Sequence, residues 1–209
     1  MLDYSQKKWV KHVITHPFDG FEDLRWKKGG SLIISFLIIA LFFFANIADS
    51  RLYGLQFHTI NDKVFNIAPY LIKSVGLFSV WVIGNWSVCS LLSGEGTLKK
   101  IWIYCSYALI PYIAQIYINV LLSHFLVRDE YIFMLIIKVT GTCWTALLLF
   151  MAIKSVHQYS FIRTISAIIL TIFAMLIILF LLILFLSLIQ QIYVFIYSIY
   201  TEISYRLKV

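Results

Sequence analysis

Charge is scarce in this chain. Asp, Glu, Lys and Arg make up 13% of its 209 residues, against about a quarter in soluble domains. Acidic residues are the scarcer kind, ten against seventeen Lys and Arg. No paired carboxylates fall inside an apolar stretch, and no Gly-x-Ser-x-Gly or His-Glu-x-x-His occurs. A hydrolytic site therefore lacks its nucleophile, base and metal ligands, and no catalytic residue or cofactor is expected. Cys89, Cys105 and Cys143 are the three cysteines. Their spacing and odd number exclude a zinc knuckle and a disulfide framework. They read as small buried hydrophobes. His12, His16 and Asp19 are too few for a zinc site, and Pro17 interrupts them. Ser93-Gly94-Glu95-Gly96 lacks the lysine and length of a P-loop and reads as a tight turn.

What is present is apolar. The chain is 61% hydrophobic with mean hydropathy +0.88, which excludes a soluble protein. The net charge of +7 belongs to residues flanking apolar spans, where it suits anionic headgroups rather than nucleic acid. The first thirty residues are polar, so no cleavable signal peptide is expected at this end.

Length and charge exclusion define five spans: Ser31–Ala48, Ser74–Leu92, Ile101–Val127, Tyr131–Ile153 and one from Ile165. The fold class expected is all-α, a polytopic membrane protein with five transmembrane helices. Lys7, Lys8, Lys11, Arg25, Lys27, Lys28, Lys99, Lys100, Lys154 and Arg163 fall on one side of such a layout. Arg51, Lys63, Arg128, Arg206 and Lys208 fall on the other. This bias predicts a multi-pass protein of the cell membrane, N-terminus cytoplasmic and C-terminus outside. Lys73 and Lys138 lie near the outer ends of spans two and four and suit snorkelling or an anionic partner.

Residues 1–30 read as a cytoplasmic segment. Pro17 suits a helix's first turn, and Phe18, Phe21 and Leu24 recur on one face. With Trp26, Lys27 and Lys28 as anchors, a short amphipathic helix on the membrane surface is expected. Residues 31–186 form the five-helix domain. The longest loop, Asp49–Pro69, contains the turn-prone Asn61-Asp62 and suits a hairpin or an irregular lid.

The sharpest polar set lies in the third span: Tyr104, Tyr107, Pro111, Gln115 and Asn119, each four residues from the next from Tyr107 onward. Pro111 cannot donate a backbone hydrogen bond and should kink the helix. Gln115 and Asn119 are expected to bond a neighbouring helix, through Asn85 of the second span, or to line a polar pathway. Gly76/Val80/Gly84, Gly141/Thr145 and Ala167/Thr171 are small faces suited to close helix contact.

From Thr164 through Thr201 there is no charged residue, glycine or proline. Such a helix is about twice the roughly 20 residues that one crossing needs. Ile165–Leu186 reads as the crossing and residues 187–209 as an amphipathic extension projecting beyond the bilayer. Ile192, Ile196, Ile199 and Ile203 form its apolar stripe.

Two stretches carry a family resemblance. His16-Pro17-Phe18-Asp19-Gly20-Phe21 resembles the entry to the first span in bacterial Yip-domain proteins. Gly94-Glu95-Gly96-Thr97-Leu98-Lys99-Lys100, followed by Tyr107-Ala108-Leu109-Ile110-Pro111-Tyr112, resembles that family's loop and its Tyr-Ser-Leu-x-Pro helix, departing at Ala108. Eukaryotic Yip proteins are non-enzymatic partners of Rab GTPases. Some bacterial relatives resemble accessory proteins encoded beside carbohydrate ABC importers. The resemblance implies a non-catalytic integral membrane scaffold that binds another membrane complex, an ABC importer permease being the partner expected. The expected contact residues are Tyr107, Pro111, Gln115, Asn119, Phe18, Phe21, Ile192, Ile196, Ile199 and Ile203. The alternative is a small oligomeric transporter or channel with its pathway at Gln115 and Asn119.

Overall fold

Long apolar stretches with few breakers have one low-energy form in lipid: helices that satisfy their own backbone. The computed structural model describes residues 6–27, 29–57 and 65–207. Asn61-Asp62, where the sequence places a turn, lies outside them, as do Lys28, Lys63 and Lys208.

The elements in order are α1 (Gln6–Thr15), α2 (Asp19–Trp26), α3 (Leu32–Arg51) and α4 (Ala68–Leu71). A π-helical turn, Ile72–Gly76, joins α4 to α5 (Leu77–Leu91). Then come α6 (Leu98–Ala108), α7 (Ile110–Leu122), a 3-10 turn at Arg128–Glu130, α8 (Tyr131–His157) and α9 (Phe161–Leu207). Among the described residues there is no strand. Five helical stretches are long and apolar enough to cross a membrane: Leu32–Arg51, Ala68–Leu91, Leu98–Leu122, Arg128–His157 and Phe161–Arg206. The protein is an all-α, multi-pass membrane protein.

The third span is the hub. In α6, Ile101, Ile103, Tyr104, Cys105, Ser106, Tyr107 and Ala108 are all buried. α3 and α8 pack on both α6 and α7, and α5 packs on α6. The span breaks at Leu109, because Pro111 stands in the first turn of α7 and has no N–H to give back to Tyr107. The chain tightens there, with Leu109 N–H donating to the Ser106 carbonyl at 3.1 Å.

α9 packs along α5 through the small faces. A Cβ on Gly84 would meet Met175 Cγ at 3.4 Å and the Thr171 carbonyl at 3.6 Å. Ala167 and Thr171 are fully buried against that face. α9 then continues without a break to Leu207.

Three expectations are corrected. Cys143 is exposed, unlike Cys89 and Cys105, because its part of α8 turns away from the bundle. α2 begins at Asp19 with Phe18 as its cap, so Pro17 precedes the helix. Asn85 does not meet Gln115 or Asn119; it bonds α9 and the end of α8. A further helix, α1, precedes α2 and packs on it.

Candidate functional site

The most concentrated polar chemistry lies at one end of the bundle, where α2, the loop 92–97 and the α8–α9 junction meet. Arg25, Lys154 and Arg163 belong to these segments, and Lys99 and Lys100 follow the loop in the first turn of α6. The site is built from two matching helix ends. α5 and α8 each finish with a residue in the left-handed conformation, Ser93 and Gln158, both at φ 56°. The next amide in each case reaches back to the helix, Gly94 N–H to Cys89 O at 2.7 Å and Tyr159 N–H to Lys154 O at 3.1 Å. These bonds satisfy carbonyls that a helix end otherwise leaves open.

Arginines finish the work. Arg25 Nη1 donates to the Ser155 and Val156 carbonyls at 2.9 and 2.7 Å, capping α8. Arg163 Nη2 donates to the Leu92 carbonyl, capping α5. A cation at a helix C-terminus also opposes the negative end of the macrodipole. Arg25 Nη2 pairs with Glu95 and so ties α2 to the glycine loop.

Inside this rim runs a buried relay. His157, 2% exposed, accepts from Gly96 N–H at Nδ1 (3.3 Å) and faces Asn85 Oδ1 from Nε2 at 3.1 Å. Both contacts are satisfied when Nε2 carries the proton. Asn85 Nδ2 donates to Thr171 Oγ1 at 3.1 Å, and that hydroxyl donates to the Ala167 carbonyl at 2.7 Å. Tyr159 stacks on His157 at 5.2 Å and donates to the Cys89 carbonyl at 3.2 Å. Burial pushes the Tyr159 phenol up to about 12, so it stays a donor. The glycines make room: a Cβ on Gly94 would stand 2.5 Å from His157 Nδ1 and from Tyr159 Oη. The arrangement clasps α5, α8 and α9 together.

α1 and α2 dock against this end. Phe21 and Leu24 are fully buried, while Phe18 is 62% exposed. His12 Nε2 lies 3.0 Å from Asp23 Oδ2, and Lys27 is 3.0 Å from Oδ1. The hydrogen bond from Lys27, helped by His12, holds the Asp23 carboxyl below its ordinary value. Among the described residues no group of three His, Cys, Asp or Glu is placed to hold a metal.

The third-span residues turn inward. Tyr107 is fully buried, and its hydroxyl accepts from Ser31 N–H at 3.1 Å. The Gln115 amide is satisfied when its nitrogen donates to the Ile137 carbonyl at 3.2 Å and its oxygen accepts from Thr142 at 3.2 Å. Gly141 permits that approach, since a Cβ there would lie 2.7 Å from Gln115 Cβ. Asn119 is 4% exposed, and its Oδ1 has no partner among the described residues. Pro111 is half-buried at the break. These residues hold the chain's own helices. Ile192, Ile196, Ile199 and Ile203 lie at the opposite extreme, 43–60% exposed. Lys73 lines an apolar cavity of about 420 Å³ with Phe42, Trp81 and Tyr112. Lys138 is exposed on α8, one turn before Thr142.

The Yip1 domain model matches residues 11–185. The chain belongs to the Yip1 domain family. No curated protein and no solved structure matches it with significance. The Yip1 match takes in α2, the glycine loop and the whole clasp, and it ends inside α9. His157 and Tyr159, central to the Yip1-domain clasp, are absent from the residues singled out by sequence. Their signal was a histidine at the end of an apolar span, where polar side chains are costly.

Proposed function

We propose that this Yip1-domain protein is a non-catalytic accessory subunit that docks another integral membrane complex through the outer part of α9. One observation carries this reading. From residue 181 to residue 200 every position of α9 is exposed, and Phe185, Ile192, Tyr193, Phe195 and Tyr200 are among them. α9 has 47 residues, and one crossing covers about 20. The remainder is too apolar to stand in water on all sides, so a protein surface covers it. Exposed Phe18 at the other end extends the contact.

The partner proposed is the permease of an ABC-type carbohydrate importer, a choice that rests on the family resemblance. The orientation proposed, N-terminus cytoplasmic and C-terminus outside in the cell membrane, follows from the basic residues gathered around the clasp. Affinity capture of the tagged full chain at native expression is the test. The expected result is co-elution of a permease, lost when residues 187–209 are deleted. Recovery of a monomer or homo-oligomer alone overturns the reading.

A further inference from the structure

Beside the clasp, a cavity of about 340 Å³ opens between α2, the Gly29-Gly30 turn and the start of α6. Four features converge on it. Thr97 caps α6, accepting from Lys100 N–H at 3.4 Å, and the amide of Lys99, in the same first turn, has no acceptor among the described residues. Lys99 and Lys100 line the opening, are exposed, and have no ion-pair partner among the described residues. Tyr104 walls the cavity. It is 2% exposed, and its hydroxyl makes no hydrogen bond among the described residues. Gly30 keeps the space open: a Cβ there, at φ +93°, would come 2.8 Å from Ile103 Cγ2.

A phenol hydroxyl with no acceptor among the described residues, a free helix-start amide and two unpaired ammonium groups are all donors. Arg25 also lines the cavity, but its outer nitrogen is spent on Glu95. What the donors lack is an anion with several oxygens. A helix start favours such a group through its dipole and its open N–H groups. The cavity stands where the third span leaves the apolar layer, with Leu24 and Ile103 on its walls. We infer that this cavity seats the phosphate headgroup of an anionic phospholipid, with Lys99, Lys100, Tyr104 and the start of α6 as its donors. The lipid's acyl chains would continue along the apolar flank while the phosphate stays at the rim. This seat is independent of any protein partner.

Native mass spectrometry of the purified full chain tests the assignment. The chain is offered equal amounts of phosphatidylglycerol and phosphatidylcholine, with inorganic phosphate in a separate arm. Phosphatidylglycerol should be retained in preference. Lys99→Gln with Lys100→Gln should lower its retention about tenfold or more. Tyr104→Phe, which keeps the ring in place, should lower it about threefold. Lys154→Gln, on the same end but outside the cavity, should leave it unchanged. Equal retention of the two lipids overturns the proposal. So does an equal loss with Lys154→Gln, which would mean diffuse surface attraction. Displacement of the lipid by equimolar inorganic phosphate overturns it too, in favour of a free-anion site.

Discussion

Half of the third span's most apolar window is buried within the protein, against 6% of the last helix's. The two cross the same layer with opposite chemistry. The third span carries Tyr107, Pro111, Gln115 and Asn119 and breaks at Leu109. The last helix carries no charge or breaker from Thr164 to Thr201 and runs unbroken. A polar group in lipid needs a partner close by, and only a span surrounded by other helices has one. α6 and α7 can hold glutamine, asparagine and proline because α3, α5 and α8 enclose them. Among the described residues α9 packs chiefly on α5, and less on α8, in its inner half, and the stretch beyond that contact stays free of charge as far as Thr201.

Three experiments can break or sharpen this contrast. Gly141→Leu pushes a side chain into Gln115, whose Cβ would be 2.7 Å away. It should cost roughly 1–3 kcal/mol of stability and lower the thermal unfolding midpoint in detergent. Gln115→Leu removes the amide, and the Thr142 hydroxyl then gives its one proton to the Lys138 carbonyl, 2.7 Å away. The loss should be near 0.6 kcal/mol, typical of one interhelical polar contact, read from the same midpoint. Ile192→Ala with Ile196→Ala should shift the isolated protein by less than about 0.5 kcal/mol yet remove partner capture. A midpoint drop as large as that of Gly141→Leu would mean that the arm packs on its own bundle, and the contrast would fall.

Span number and class were legible because length and charge exclusion are enough to place helices in lipid. The small faces were legible too, and Gly84 does meet the Ala167/Thr171 side of α9. Facing was harder. Membrane helices are apolar nearly all round, so nothing in the pattern said that Gln115 looks at α8 while Asn85 looks at α9. The clasp escaped for a different reason. Its parts, Arg25, Asn85, Glu95, His157 and Thr171, come from five different elements, and each looks ordinary alone. α1 escaped because its few apolar residues, Trp9 and Val13 among them, are buried only by contact with other elements, and its bond from His12 reaches Asp23, eleven residues away.

The clasp has a consequence for how the chain is made. Asn85 enters the membrane with the second span, but its partners His157 and Thr171 are 72 and 86 residues further on. At about 5–20 residues per second of synthesis, that amide waits roughly 4–17 s for its partners. During this interval the ribosome-bound chain is an incomplete bundle with an unsatisfied amide in its second span. The last helix, so bare along its outer length, is therefore also the piece whose arrival completes the inner fold.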